Sequence, residues 1–238
     1  MLLIHLSLSL LLILPVFQGQ SSNLTLLAAE PTAVAERVFS TEEETVFLAG
    51  LDEQYGQILT QQCDFVQLRY LDAFQDTLTA QGRCWFESPD RLRWEVMAPL
   101  NSVIIYDHDQ TGKYEVNAGV LTRQEEARED LFQMMLKQIA AWMRGDFQSG
   151  KEMFELQVVE QQEVRIELEP RAKGIARGLR KIELQLDPGS LRVIRVKLFE
   201  SGSDFIQIDF YNVILDQPLP SALFDLNNPL PQGSLESD

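Results

Sequence analysis

The chain has 238 residues, 20 Lys and Arg against 36 Asp and Glu, a formal net charge of −16, and 45% hydrophobic residues. That apolar share suits a packed domain and excludes a disordered acidic tail, and 13 Gly with 10 Pro are too few for a collagen-like or low-complexity chain. The acidic balance argues against nucleic acid as a partner, and two Cys are too few for a four-thiolate zinc site or a disulfide-dense miniprotein.

Met1 to Phe17 carries no charged side chain and has a Leu-rich centre closed by Pro15. It reads as the apolar part of a secretory signal spanning residues 1–20, with cleavage expected between 19 and 29 and a single domain over 30–238. An uncleaved anchor is the alternative, although the run is shorter than the roughly 20 residues a spanning helix needs. Export places the mature chain in the periplasm, a compartment that permits disulfides.

Ala33 to Leu59 is rich in helix formers, with Val46, Leu51, Tyr55, Ile58 and Leu59 as its apolar residues, and predicts an amphipathic helix broken near Gly50. From Cys63 the period becomes two. Cys63 to Tyr70 and Thr79 to Phe86 form a predicted hairpin centred near Ala73 and Phe74, which sets Cys63 opposite Cys84. A structural disulfide and two buried free thiols both fit that register. A redox-active pair does not, because nothing resembles Cys-x-x-Cys.

In the next strand Leu92, Trp94 and Val96 alternate with Arg91, Arg93 and Glu95, and Pro99 ends it. Val103 to Tyr106 follows, then a turn from Asp107 to Gly112, then a hairpin of Lys113 to Asn117 with Val120 to Thr122. Gln124 to Phe147 reads as a helix with acids in its first turn and a stop at Gly145. Its stripe of Phe132, Met135, Leu136, Ile139 and Met143, widened by Leu131, Met134 and Trp142, is so broad that it must cover something apolar.

Alternation then resumes through Phe154 to Val158, Val164 to Leu168, Ile182 to Leu186, Ile194 to Leu198 and Ile206 to Phe210, each set with a polar opposite face. Asp187-Pro188-Gly189-Ser190 and Ser201-Gly202-Ser203-Asp204 supply turns. The pattern predicts an α+β fold: a strongly curved antiparallel sheet of about 10–11 strands, one face dry and one wet, forming an unclosed barrel with a helical lid. Charge is uneven along it. Arg171 to Lys197 holds eight basic residues and two acids, a net +6 that leaves −22 elsewhere, and reads either as a solvated strand face or as a docking surface.

No catalytic motif emerges. There is no nucleophile elbow, zincin helix, phosphate loop or dinucleotide fingerprint, and Asp107-His108-Asp109 reads as an exposed turn. A non-enzymatic role without cofactor or metal is expected. What the chain has in excess is apolar surface, and a Met-rich helix above a dry sheet suits a movable cover over an acyl chain.

The residues Phe65-Val66-Gln67, Gly82-Arg83-Cys84-Trp85-Phe86, Ser88 to Glu95 and Ala98-Pro99 resemble the opening strands of LolA-type lipoprotein carriers. Ile182 to Pro188, Phe210-Tyr211-Asn212-Val213 and Pro218 to Phe224 resemble that family's C-terminal pattern, so the likeness spans about Phe65 to Leu226 in order. It implies an unclosed barrel with a helical lid whose apolar cavity carries acyl chains across the periplasm, between an inner-membrane exporter and an outer-membrane acceptor, as a monomer. Ser88 stands where the carriers proper have an Arg that ties the lid to the barrel, and Leu92 replaces a cavity aromatic while Trp94 is kept. The implied cargo is therefore an acylated lipoprotein or a glycolipid.

On the residues themselves, the expected cavity is Phe65, Phe86, Leu92, Trp94, Val96, Ile182, Leu184, Ile194, Val196, Ile206, Ile208 and Phe210. Leu131, Met135, Ile139, Trp142 and Met143 are the expected lid contacts. Two other roles suit the same chain: a lipid-sensing regulatory module built on the half-barrel, and a hydrolase of envelope lipids, for which the dry-face residues offer no acid, base or nucleophile.

Overall fold

The computed structural model describes residues 35–117, 120–124, 138–200, 202–227 and 229. The signal-like segment, its cleavage window, and the lid positions Leu131 and Met135 lie outside them.

The strands are β1 (Arg37–Val38), β2 (Thr60–Leu71), β3 (Asp76–Glu87), β4 (Arg91–Ala98), β5 (Ser102–Asp107), β6 (Gln110–Asn117), β7 (Val120–Gln124), β8 (Phe154–Glu160), β9 (Val164–Pro170), β10 (Leu179–Leu186), β11 (Val193–Glu200) and β12 (Phe205–Leu215). They form one antiparallel sheet in the order β1-β8-β9-β10-β11-β12-β2-β3-β4-β5-β6-β7. Two meanders, β2–β7 and β8–β12, are joined where β12 pairs with β2, with Phe210 opposite Phe65 and Phe205 opposite Tyr70. The edges β1 and β7 do not pair, so the curved sheet is an unclosed barrel. The strand not anticipated is β1, two residues too short to carry a period, paired to the start of the chain's second half at Val159 and Glu160.

The N-terminal helix is shorter than expected. Helix α1 (Thr41–Tyr55) begins at Ser40, whose hydroxyl accepts the Glu43 N–H while the Glu43 carboxylate accepts the Ser40 N–H. This capping box stops helix upstream, where Arg37 and Val38 pair with β8 instead. The Ser40 N–H and the Arg37 guanidinium 2.8 Å away hold the Glu43 carboxyl down to about 2. Gly50 does not break the helix: it is exposed with open space around it, and a solvent-facing Gly costs only about 1 kcal/mol relative to Ala. Leu48, Leu51 and Tyr55, spaced at three and four residues, form the buried stripe, whereas Val46 and Leu59 are exposed.

Residues 138–143 are helical (α2) and pack Ala140, Ala141 and Trp142 inward. Gly145 then turns the chain at φ 79°, a left-handed conformation that favours Gly. A Cβ there would lie 2.7 Å from Tyr55 Cβ, so Gly145 also lets the two helices meet. A third helix, α3 (Lys173–Ala176), links β9 to β10. The turn predicted over Asp107 to Gly112 is confined to His108 and Asp109, because Gln110 to Gly112 already pair with β5.

The concave face and both helices make the main core. Phe65 stacks on Trp94 with ring centres 4.1 Å apart, and Phe210 meets Trp94 edge-on at 6.0 Å. Gly82, opposite Phe65, makes room for that stack: a Cβ there would sit 2.3 Å from the Phe65 ring and 2.1 Å from the Glu95 carbonyl oxygen.

A second core lies on the outer face, which corrects the expectation of one uniformly wet side. Trp85, Val103, Ile105 and Tyr114 are covered there by Leu223 and Phe224 of the C-terminal segment. Arg93 and Glu95, which read as wet-face residues, are 0% and 4% exposed. Arg93 donates to Glu95 Oε2 from Nε (3.0 Å) and Nη2 (2.7 Å) and from Nη1 to the Leu223 carbonyl (3.0 Å), while Tyr114 donates to the Leu226 carbonyl at 2.6 Å.

Two variants test this packing by urea denaturation. Arg93→Met removes a two-bonded guanidinium from the buried Glu95 carboxylate and is expected to lower stability by about 3–5 kcal/mol; a loss under about 1 kcal/mol refutes the role given to the pair. Gly82→Ala is expected to cost about 1–3 kcal/mol by overpacking the aromatic stack, and a neutral effect removes the need for Gly.

Candidate functional site

Strand register decides which predicted residues share a surface. Phe65 faces Gly82, Phe86 faces Leu92, Cys84 faces Trp94 and Gly82 faces Val96. On the other side Phe210 faces Phe65, Val196 faces both Ile208 and Leu184, and Leu198 faces both Ile206 and Ile182. Eleven of the twelve expected residues thus project from the concave face, whereas Ile194 falls in a register shift of β10–β11, where Val193 instead faces Leu186 and packs on the core. Ten are buried, and Ile194 and Phe210 are half-buried.

Helix α1 seats Leu48, Leu51 and Tyr55 against this face, and Ile139 and Met143 of α2 pack on the cluster of Phe86, Leu92, Tyr106 and Ala140. Among the described residues a cavity of about 80 Å³ lies beside them, against the roughly 300–1,000 Å³ typical of pockets that bury small-molecule ligands. Of the expected residues, Ile194, Phe210, Trp142 and Met143 line it. Tyr55, Gln61, Phe147, Leu191 and Val213 line it too and were not expected. Gln61 continues the parity of Cys63 and Phe65 and was legible. Val213 lies beyond a register shift in β12, where alternation ceases to report the face.

Around α2 the polar satisfaction is incomplete. Gln138 and Trp142 are 3% exposed, and Gln138 Nε2 and Trp142 Nε1 have no hydrogen-bond partner. On the sheet the Tyr106 and Thr111 hydroxyls, directly opposed across β5 and β6, are likewise buried and unpaired. Burial is the main reason the Tyr106 phenol is pushed above its ordinary range, with Asp109 and Asp90 adding to it.

The lid is tied to the barrel in spite of Ser88. Arg144, one residue past α2, donates from Nη1 to the Pro89 carbonyl and from Nη2 to Asp146 at 3.0 Å. The tie therefore starts on the helix side and ends on a backbone oxygen beside Ser88.

Cys63 and Cys84 stand opposite each other, 0% exposed, as free thiols. Burial first, and then the Cys63 thiol beside it, push Cys84 well above the usual thiol range. The basic stretch is partly neutralised: Lys181 lies between Glu183 (2.6 Å) and Glu167 (3.5 Å), Arg195 pairs with Asp209, Arg171 comes within 3.9 Å of Glu155, and Lys197 sits over the Phe205 ring at 4.2 Å. Arg171, Lys173, Arg177 and Arg180 remain exposed around α3. His108 is exposed in its turn, with Nδ1 2.6 Å from Asp90 Oδ1. Among the described residues no group of three or more His, Cys, Asp or Glu side chains is placed to hold a metal ion, and no helix is long and apolar enough to cross a membrane.

Residues 56–227, well over half the chain, match the family model of the outer membrane lipoprotein carrier protein LolA. The chain belongs to the LolA family. Solved structures of similar shape include a DUF1329 family protein from Desulfovibrio piger (11% identity, 76% of this chain and 95% of that one, TM-score 0.44). A LolA superfamily protein from Nitrosomonas europaea is 10% identical over 76% of this chain and 96% of its own, with TM-score 0.40. A chain of the MucA/MucB complex of Pseudomonas aeruginosa is 14% identical over 76% of this chain and 60% of its own, with TM-score 0.45. No curated protein matches the chain.

Within the LolA frame the paired thiols are expected to bridge once exported to an oxidising compartment. Alkylation of the denatured protein checks this: neither cysteine labels until reductant is added. Full labelling of protein purified from an oxidising compartment refutes the bridge.

Proposed function

We propose that this LolA-family chain is a periplasmic carrier that takes the acyl chains of a lipoprotein or other acylated envelope lipid onto its concave face and shuttles them toward the outer membrane. An inner-membrane exporter would load it and an outer-membrane acceptor would unload it. The reading rests above all on one observation: a continuous apolar face drawn from both meanders is covered, among the described residues, by helices α1 and α2.

The energetics fit such a carrier. A sixteen-carbon chain in water costs about 0.8 kcal/mol per CH₂, roughly 12 kcal/mol as an upper bound. Contacts that α2 makes with Phe86, Leu92 and Tyr106 in the closed form are of the same apolar kind, so cargo can replace them at small net cost. Closing again after delivery recovers those contacts, which favours release. The net charge of −16 keeps a shuttle soluble and off anionic bilayers.

Native mass spectrometry and lipid extraction of the purified protein are expected to find acylated ligands, and a fluorescent fatty acid is expected to compete with them. Absence of both ligand and probe binding refutes the carrier reading. Trp94→Glu places a carboxylate in the aromatic stack and is expected to weaken probe binding about tenfold or more. Unchanged affinity in a folded variant removes Trp94 from the binding surface.

A further inference from the structure

The unpaired polar atoms named above are not scattered. Gln138 and Trp142 are four residues apart and so lie on one side of α2, while the Tyr106 and Thr111 hydroxyls belong to the strand pair β5–β6 on the concave face. The Arg93–Glu95 pair is satisfied in the outer core, and Tyr55 of α1 accepts from Gln54 Nε2 at 2.9 Å.

Each unpaired buried group costs about 1–3 kcal/mol, and native interiors pair nearly all of them. An interface meant to stay shut would not concentrate them. The indole Nε1–H and the amide Nε2–H can only donate, whereas the two hydroxyls can donate or accept. The group that complements the two N–H donors is an acceptor such as the carbonyl of an ester or amide attached to an acyl chain. Trp142 also lines the residual cavity of about 80 Å³, between the end of α1 and the β10–β11 turn.

We propose that Trp142 Nε1 and Gln138 Nε2 form a polar anchor for the acyl-ester or acyl-amide carbonyl of the cargo, with the hydrocarbon lying along the concave face. The anchor rests on the carrier reading and adds the chemical class of the group recognised. It fixes where the head of the cargo sits relative to α2, and it makes recognition depend on the linkage and not only on chain length. A hydrocarbon alone would leave both donors unpaired.

The test compares a dipalmitoyl glycerol ester with its dihexadecyl ether analogue, whose linkages lack the carbonyl, by displacement of a fluorescent fatty acid from the full exported protein. Wild type is expected to prefer the ester by about three- to tenfold, the range of one net hydrogen bond. Trp142→Phe keeps an apolar ring and removes the N–H, so it should lower ester affinity more than ether affinity and bring their ratio toward one. Gln138→Met should act in the same direction and provides a second measurement if the Phe variant fails to fold. Equal binding of ester and ether by wild type, or a preference that survives both substitutions, overturns the anchor while the carrier reading stands. An equal loss for ester and ether in both variants also overturns it, because that is a packing effect. If wild type binds neither probe, both the carrier reading and the anchor fall.

Discussion

A single-layer sheet with one dry face cannot exist uncovered, and most of this molecule follows from that constraint. Twelve strands turn Phe65, Trp94, Ile166, Leu184, Val196 and their neighbours to one side. Among the described residues no second sheet covers them. Curvature reduces the area to be covered, and α1 and α2 supply the rest. The β2–β12 pairing makes the surface continuous, since without it the two meanders would each present half a face and an extra pair of edges.

The two helices cover that face on different terms. Helix α1 is capped by Ser40 and Glu43, linked through Arg37 to Glu160 of β8, and joined through Glu44 to Lys151 at 3.4 Å. Its buried residues are Leu48, Leu51 and Tyr55. Helix α2 is held by Ala140, Ala141 and Trp142, brings unpaired donors into the interior, and is tied at its end by Arg144 to a backbone carbonyl.

The outer core sets the opposite boundary. Leu223 and Phe224 close over Trp85, Val103 and Ile105, and the guanidinium of Arg93 is enclosed with Glu95. Strands β3 to β6 are thereby packed on both faces, which suits the wall against which a cover moves. Strands β9 to β12 keep a wet outer face of crossed charges such as Lys181 with Glu183 and Arg195 with Asp209.

Local alternation by itself determined the sidedness of the strands. It put eleven of the twelve expected residues on one face and placed Cys63 opposite Cys84, because side-chain direction in a regular strand has a period of two; Ile194 departs from it at the β10–β11 register shift. It could not determine what lies over each face. Arg93 and Glu95 carry the same local signal as Lys181 and Glu183, and only the return of residues 219–226 across β4 to β6 buries the first pair and leaves the second wet. The limits of α1 were obscured because helix propensity extends past Ser40, while the capping box and the β1–β8 pairing stop it. The residual cavity is likewise tertiary: Tyr55, Phe147, Leu191 and Val213 come from four separate segments and meet only where the helix ends rest on the β10–β11 turn. Pattern along the chain reports direction, and contact between distant segments decides burial.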